Sequence, residues 1–203
     1  MQIVKKGGVK QAFSPDKIMT RIKNAANGLN IDVDNIFKAV IPSVEDGMTT
    51  TEMDELLAFT IADFIQDHPD NSILASRILI TRQGKLIGKT PEAVDLEYDF
   101  FGTVTFLKKY SLKDANETPL ELPSMMYDRV ANFFGIDKEE KALFSEQLKS
   151  KKISVATPIL TNAGTGRGAY ISCNITTNIS DDSKGILETL DNASLASREG
   201  AGI

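Results

Sequence analysis

The first part of the chain is cut into short pieces by turn and capping residues, and each piece carries its own apolar stripe, which restricts this part to a small bundle of short helices. Ile3-Val4-Lys5-Lys6, Gly7-Gly8 and Val9 to Phe13 read as a two-stranded hairpin, because a Gly-Gly pair takes the positive φ of a tight turn without a Cβ penalty. Ser14-Pro15-Asp16 is a helix start: serine accepts an orphan amide, proline suits the first helical position, and aspartate favours the positive end. Ile18, Ile22, Ala25, Ala26 and Leu29 then follow one helical face. Gly28 to Asp34 interrupts that helix and begins a second, with Ile36, Phe37, Val40 and Ile41 inward and Pro42 ending it. Gly47-Met48-Thr49-Thr50 leads into a third, in which Thr51 and Asp54 have the spacing of a capping pair and Met53, Leu57, Ile61, Phe64 and Ile65 form the stripe. His68-Pro69-Asp70-Asn71 closes it and caps a fourth carrying Ile73, Leu74, Arg77, Ile78 and Leu79.

Beyond Gly84 turn and charged residues dominate as far as Asp99, which reads as a linker. Thr118 to Phe134 then begins with a Thr-Pro start and sets Leu122, Met126, Val130 and Phe133 along one face. Met125, Met126, Phe133 and Phe134 at this spacing read as core rather than as a ligand pocket. Asp137 to Lys152 is a charged helix with Leu143, Phe144 and Leu148 inward and a solvated face of Glu139, Glu140, Lys141, Glu146 and Lys149. After Lys152 the pattern changes to short β-rich runs, Ile153–Val155 and Tyr170–Ile175, separated by a Gly-rich loop at 162–168. Asp181-Asp182-Ser183 caps a last helix with Ile186, Leu190, Ala193 and Ser197 on one side, and its positive end suits an anion or a sugar hydroxyl.

Composition narrows the function classes. With 203 residues, 41% hydrophobic and 25% charged, the chain can bury one or two ordinary cores. It has no leader-like start and no apolar run of about 18 residues, so secretion and a membrane span are not expected and a cytoplasmic location is. The single cysteine, Cys173, excludes an internal disulfide and a CxxC zinc or redox motif, and no metal site is expected in this chain. A net charge of −5 argues against a broad nucleic-acid surface, although it leaves room for a local lysine cluster that binds a nucleotide phosphate.

Several ordered motifs share one register. Thr157-Pro158, Asn162-Ala163-Gly164-Thr165, Ser172-Cys173, Asp182-Ser183 and Gly200-Ala201-Gly202-Ile203 resemble the large subunit of ribonucleotide reductase. The first module resembles that family's ATP-cone through Val4-Lys5-Lys6, Phe13-Ser14-Pro15-Asp16-Lys17-Ile18, Gly47-Met48-Thr49-Thr50 with Asp54, and His68-Pro69-Asp70 with Leu74, Arg77 and Ile78. The implied architecture is a mainly α N-terminal module, a β-hairpin plus four helices (1–89), then a helical segment (90–152), then the first strands of an α/β ten-stranded barrel (153–203), truncated. The resemblance places regulatory ATP or dATP against Lys5, Lys6, Gln11, Lys17, Thr50, Asp54 and Lys85. Lys6 stands where arginine is common, Gln11 where glutamate is common, and Arg82-Gln83-Gly84 departs from the usual residues before the last lysine.

For the reaction, the resemblance implies that Cys173 is one of two thiols that reduce the ribose 2′ carbon after a thiyl radical removes the 3′ hydrogen. Thr157 and Ser172 match substrate-contacting positions, Ala201 and Gly202 match backbone close to the bound nucleotide, and Asp182 and Ser183 match the turn that holds the specificity effector. Ile171 replaces a common serine, and one extra residue separates Cys173 from Asp182. The family reaction needs at least three thiols, so one cysteine implies that the rest of the large subunit acts in trans. A small radical-generating subunit and a homodimer of the complete large subunit are the other implied partners, and the isolated chain is expected to be inactive. Two alternatives stay open: a non-catalytic nucleotide-sensing ATP-cone module, and part of a cobalamin-dependent reductase.

Overall fold

The computed structural model describes residues 1–166, 168–175, 178–198 and 200–202, so Arg167 of the Gly-rich loop and Ile203 of the last motif lie outside the described residues. Strands β1 (Gln2–Val4) and β2 (Lys10–Ala12) pair antiparallel, with Gln2 opposite Ala12 and Val4 opposite Lys10. Gly7 and Gly8 make the turn at φ of 88° and 80°, a region that strains any residue with a Cβ. The hairpin is tied down through Val4, whose amide donates to the Met48 carbonyl at 3.0 Å and which bridges to Thr49.

Four helices come after the hairpin: α1 (Pro15–Ala25), α2 (Val33–Val40), α3 (Thr50–Ala62) and α4 (Asp70–Ile87). Their inward residues are the expected ones, with Ile18, Ile22, Ile36, Val40, Leu57, Ile61, Leu74 and Ile78 all buried. Two capping expectations fail. The Ser14 side chain makes no capping bond. At α3 the cap is Thr49 rather than Thr51: its hydroxyl accepts from the Glu52 amide at 3.1 Å, and the Glu52 carboxylate accepts from the Thr49 amide at 2.8 Å. Thr49 is extended, with ψ of 159°, so the helix starts two residues earlier than the Thr51–Asp54 spacing implied, and Asp54 is left free for another partner.

The stretch expected to be a linker is structured instead. Helix α4 runs through Gly84 to Ile87 and ends at Gly88 in the left-handed region, and a 3₁₀ turn occupies Ala93–Glu97. A Cβ at Gly84 would lie 2.5 Å from the Lys89 carbonyl oxygen, which explains glycine at this position: the returning chain crosses directly over the helix. Asp95 is fully buried and accepts from the Ser124 amide at 2.6 Å and the Ser124 hydroxyl at 2.8 Å. Gln83, also buried, donates to the Pro119 carbonyl at 2.6 Å.

Next come α5 (Phe100–Thr105), continued by a π-helical turn over Phe106–Tyr110, then α6 (Pro123–Phe134), α7 (Lys138–Lys149), α8 (Thr157–Asn162) and α9 (Ser183–Arg198). Helix α6 starts at Pro123, not Thr118. Leu122, Met126 and Val130 are buried as expected, but Phe133 and Phe134 are exposed, stacking edge-on with each other and against Tyr170, and Leu143 of α7 also faces out. One apolar core joins α1–α4 to Phe100, Phe106, Leu107 and Met126, and a smaller cluster holds Val130, Leu148 and Ala163.

The barrel strands expected at Ile153–Val155 and Tyr170–Ile175 are not formed. A buried parallel strand needs neighbours for its amides, and among the described residues Cys173 finds a single one, a bridge to Gly202. Helix α9 also differs from its pattern: Ile186 and Leu190 are exposed, while the half-buried positions are Gly185, Thr189, Ala193 and Ala196, a face of small residues. Among the described residues no helix is long and apolar enough to cross a membrane.

Candidate functional site

Where the hairpin, the start of α1, the start of α3 and the end of α4 meet, they leave a cleft with two adjoining lobes. The first, with a volume of about 260 Å³, has a floor of Ile3, Ile18, Met53 and Leu57 and is edged by Lys5, Gln11, Lys17, Arg21, Thr50, Asp54 and Lys85. The second, of about 330 Å³, shares Lys5, Thr50, Asp54 and Lys85 and adds Lys6, Thr49, Thr51 and Arg82. All seven residues that the ATP-cone resemblance singled out therefore border one continuous cleft.

The local chemistry depends on how each residue is placed. Lys5 and Lys6 leave β1 just before the Gly-Gly turn, Gln11 sits in β2 opposite Ile3, and Lys17 projects from the first turn of α1. Thr50 is the first residue of α3, and Lys85 lies in the last turn of α4. Lys5, Lys6, Lys17 and Lys85 are exposed and form no ion pair among the described residues. An apolar floor beneath a rim of unpaired ammonium groups suits a flat, partly apolar ligand carrying several negative charges.

Sequence reading missed Arg21 and Arg82. The Arg21 fork grips Asp54, Nε donating to Oδ1 at 3.0 Å and Nη2 to Oδ2 at 3.2 Å, while Nη2 also reaches the Ile78 carbonyl at 3.1 Å. Asp54 is thus fixed in the cleft wall rather than serving as a cap. The signal for Arg21 was its position four residues after Lys17, on the same helical face. Arg82 was legible in the same way, three residues before Lys85 on α4. Ser14, freed from capping, also lines the first lobe.

A second group of expected site residues lies near the C-terminal end. Cys173 is exposed. The Gly202 amide donates to the Ser172 carbonyl at 2.8 Å, and the Asn174 amide donates to the Gly202 carbonyl at 2.9 Å, so Ser172, Cys173 and Gly202 are held side by side. Ala201 is buried, its amide on the Ala196 carbonyl at 3.0 Å, and a Cβ on Gly202 would come within 3.1 Å of the Ser172 carbonyl oxygen. Thr157 opens α8 with its hydroxyl 3.1 Å from that of Tyr110, and no hydrogen bond joins it to the Cys173 bridge among the described residues. Asp182 accepts the Gly185 amide at 2.9 Å; that bond and the Ser180 hydroxyl hold its carboxyl below the usual range, and Ser183 begins α9. No group of three His, Cys, Asp or Glu side chains suited to a metal ion occurs among the described residues.

Comparison with known proteins gives these arrangements a family. Residues 1–86 match the ATP cone domain, and residues 96–168 match the ribonucleotide reductase all-alpha domain. Three proteins called ribonucleoside-diphosphate reductase large subunit align with the whole chain. The one from Danio rerio is 32% identical, that from Vaccinia virus (strain Copenhagen) 30%, and that from Plasmodium falciparum (isolate Dd2) 29%. The chain spans 30–32% of the length of these relatives. The chain thus carries an ATP cone followed by the ribonucleotide reductase all-alpha domain, and it is aligned along its whole length with proteins named as the large subunit of that enzyme.

Proposed function

We propose that the chain is the effector-binding and first active-site region of a ribonucleoside-diphosphate reductase large subunit, with ATP or dATP held in the two-lobed cleft. The observation that carries this reading is the convergence of Lys5, Lys6, Lys17 and Lys85, from both ends of a module of some eighty residues, on one cleft with an apolar floor. The base lies over Ile18, Met53 and Leu57, and the phosphates draw on ammonium groups that form no ion pair among the described residues. Gln11, Thr50 and Asp54 supply polar contacts to the sugar and base.

In this reading Cys173 donates reducing equivalents at the ribose 2′ carbon, Thr157 and Ser172 contact substrate, and Ala201 and Gly202 let its backbone approach. Asp182 and Ser183 hold the specificity effector. Residues 153–203 form the start of the α/β barrel, in which Ile153–Val155 and Tyr170–Ile175 pair as strands when neighbouring strands complete the sheet. Only one thiol is present, so the radical cysteine, the partner thiol and the carboxylate base come from the remainder of a large subunit, acting as a homodimer with a radical-generating small subunit in the cytoplasm.

Calorimetric titration of the chain with ATP and dATP tests the first half of the reading. Lys17→Ala and Lys85→Ala are each expected to weaken binding about tenfold, the loss of one charge-assisted phosphate contact. Unchanged affinity in both variants overturns it. For the second half, the chain alone should reduce no nucleotide, and adding a polypeptide with the missing thiols should give activity that Cys173→Ser abolishes; activity surviving that substitution removes the role given to the cysteine.

A further inference from the structure

The second lobe contains a cation that the proposed ATP contacts do not use. The Arg82 side chain is 12% exposed, and its Nη1 pairs with the Glu55 carboxylate, which is itself half-exposed. Its Nε is buried and has no hydrogen-bond partner among the described residues. A guanidinium N–H withdrawn from water without an acceptor costs stability, so the position fits best when an acceptor arrives from outside the chain. Arg82 shares the lobe with Lys5, Lys6 and Lys85, while the lobe's one carboxylate, Asp54, is already held by Arg21. Of the four cations that line this space, Arg82 is paired with Glu55, which lies outside the lining, and the three lysines form no ion pair among the described residues.

We infer that Arg82 is the seat of the terminal phosphate of a nucleoside triphosphate, so that the second lobe takes that phosphate while the first holds the base and, through Lys17, an inner phosphate. This rests on the cleft being a nucleotide site. Within the chain Glu55 is the counter-ion of Arg82. An arriving phosphate takes its place, and the fork of the guanidinium donates to the phosphate oxygens in the bidentate manner that a lysine cannot supply. Triphosphates are thereby favoured over diphosphates by a contact separate from those that hold the base.

The test is titration of the full chain at fixed ionic strength with ATP, ADP and inorganic tripolyphosphate, using wild type, Arg82→Gln and Glu55→Gln, with thermal melting run alongside. Arg82→Gln is expected to weaken ATP and tripolyphosphate about tenfold and to leave ADP unchanged, collapsing the ATP-to-ADP preference. Glu55→Gln, which removes the competing carboxylate, is expected to tighten ATP several-fold without affecting ADP. Equal losses for ATP and ADP, or a preserved preference in a folded Arg82→Gln protein, overturn the inference while leaving the nucleotide site standing. If Arg82→Gln melts early, Glu55→Gln decides: no gain for ATP overturns it. Tripolyphosphate binding that depends on Arg82 without binding of either nucleotide supports the anion lobe and removes the nucleotide reading. Binding of none of the three ligands to wild type removes both.

Discussion

Asp54 shows how one side chain changes meaning between sequence and structure. Its spacing from Thr51 suggests a cap, yet it is paired in the cleft wall with Arg21, both side chains mostly buried. The pair is two-pronged and further anchored by the Ile78 carbonyl, so removing either partner strands the other. Arg21→Ala is expected to destabilise the chain by about 1–2 kcal/mol, below the value for a fully buried pair because water still reaches part of both groups. Denaturant melts of Arg21→Ala, Asp54→Ala and the double variant check this: the two single losses should sum to more than the double loss, and strict additivity would show that the pair contributes nothing.

Among the elements, α3 depends most on its first turn, because Thr50 at its start lines the cleft while Thr49 and Glu52 close a reciprocal capping box. Bonds from the Thr49 amide and then the Thr49 hydroxyl hold the Glu52 carboxyl below its ordinary value. A carboxylate lowered in the folded state stabilises it above the unfolded pKa, and that contribution disappears as pH falls through the lowered folded value. Protection of the α3 first-turn amides from hydrogen exchange is therefore expected to be full at neutral pH and to decline only below the ordinary glutamate range. Thr49→Ala removes the hydroxyl bonds and keeps the backbone amide on Glu52, so this acid-dependent step should shrink without vanishing, and the lost cap should cost the chain about 1 kcal/mol of stability. A pH profile identical in the variant would remove the role given to the box.

At the scale of the molecule, the ATP-cone helices are not a separate body from α5 and α6. They share an apolar core with Phe100, Phe106, Leu107 and Met126, and buried polar bonds pin the connection. The Ser76 and Thr103 hydroxyls lie 2.6 Å apart, and Asp95 receives both polar hydrogens of Ser124. Residues 1–134 are accordingly expected to unfold in one transition, whereas α9, with no buried residue, exchanges its amides much faster. Asp95→Ala, which leaves two buried donors without an acceptor, is expected to lower the stability of that whole unit by about 2–3 kcal/mol. Calorimetry showing two separate transitions for 1–87 and 100–134 would contradict the shared core.

The hairpin, the four helices of the first module and their inward residues are set by local signals: Gly7-Gly8, the prolines at helix starts, and apolar spacing at helical period. The set of cleft lysines is legible as well, because ordered motifs carry it. Other features depend on contacts between residues far apart in the chain, which local pattern cannot encode. The pairing of Arg21 with Asp54, the burial of Asp95 under Ser124 and the closeness of Lys89 to Gly84 are of this kind. Ile153–Val155 and Tyr170–Ile175 have strand-like composition but not strand structure, since a strand is completed by its neighbours, and among the described residues Cys173 bridges only to Gly202.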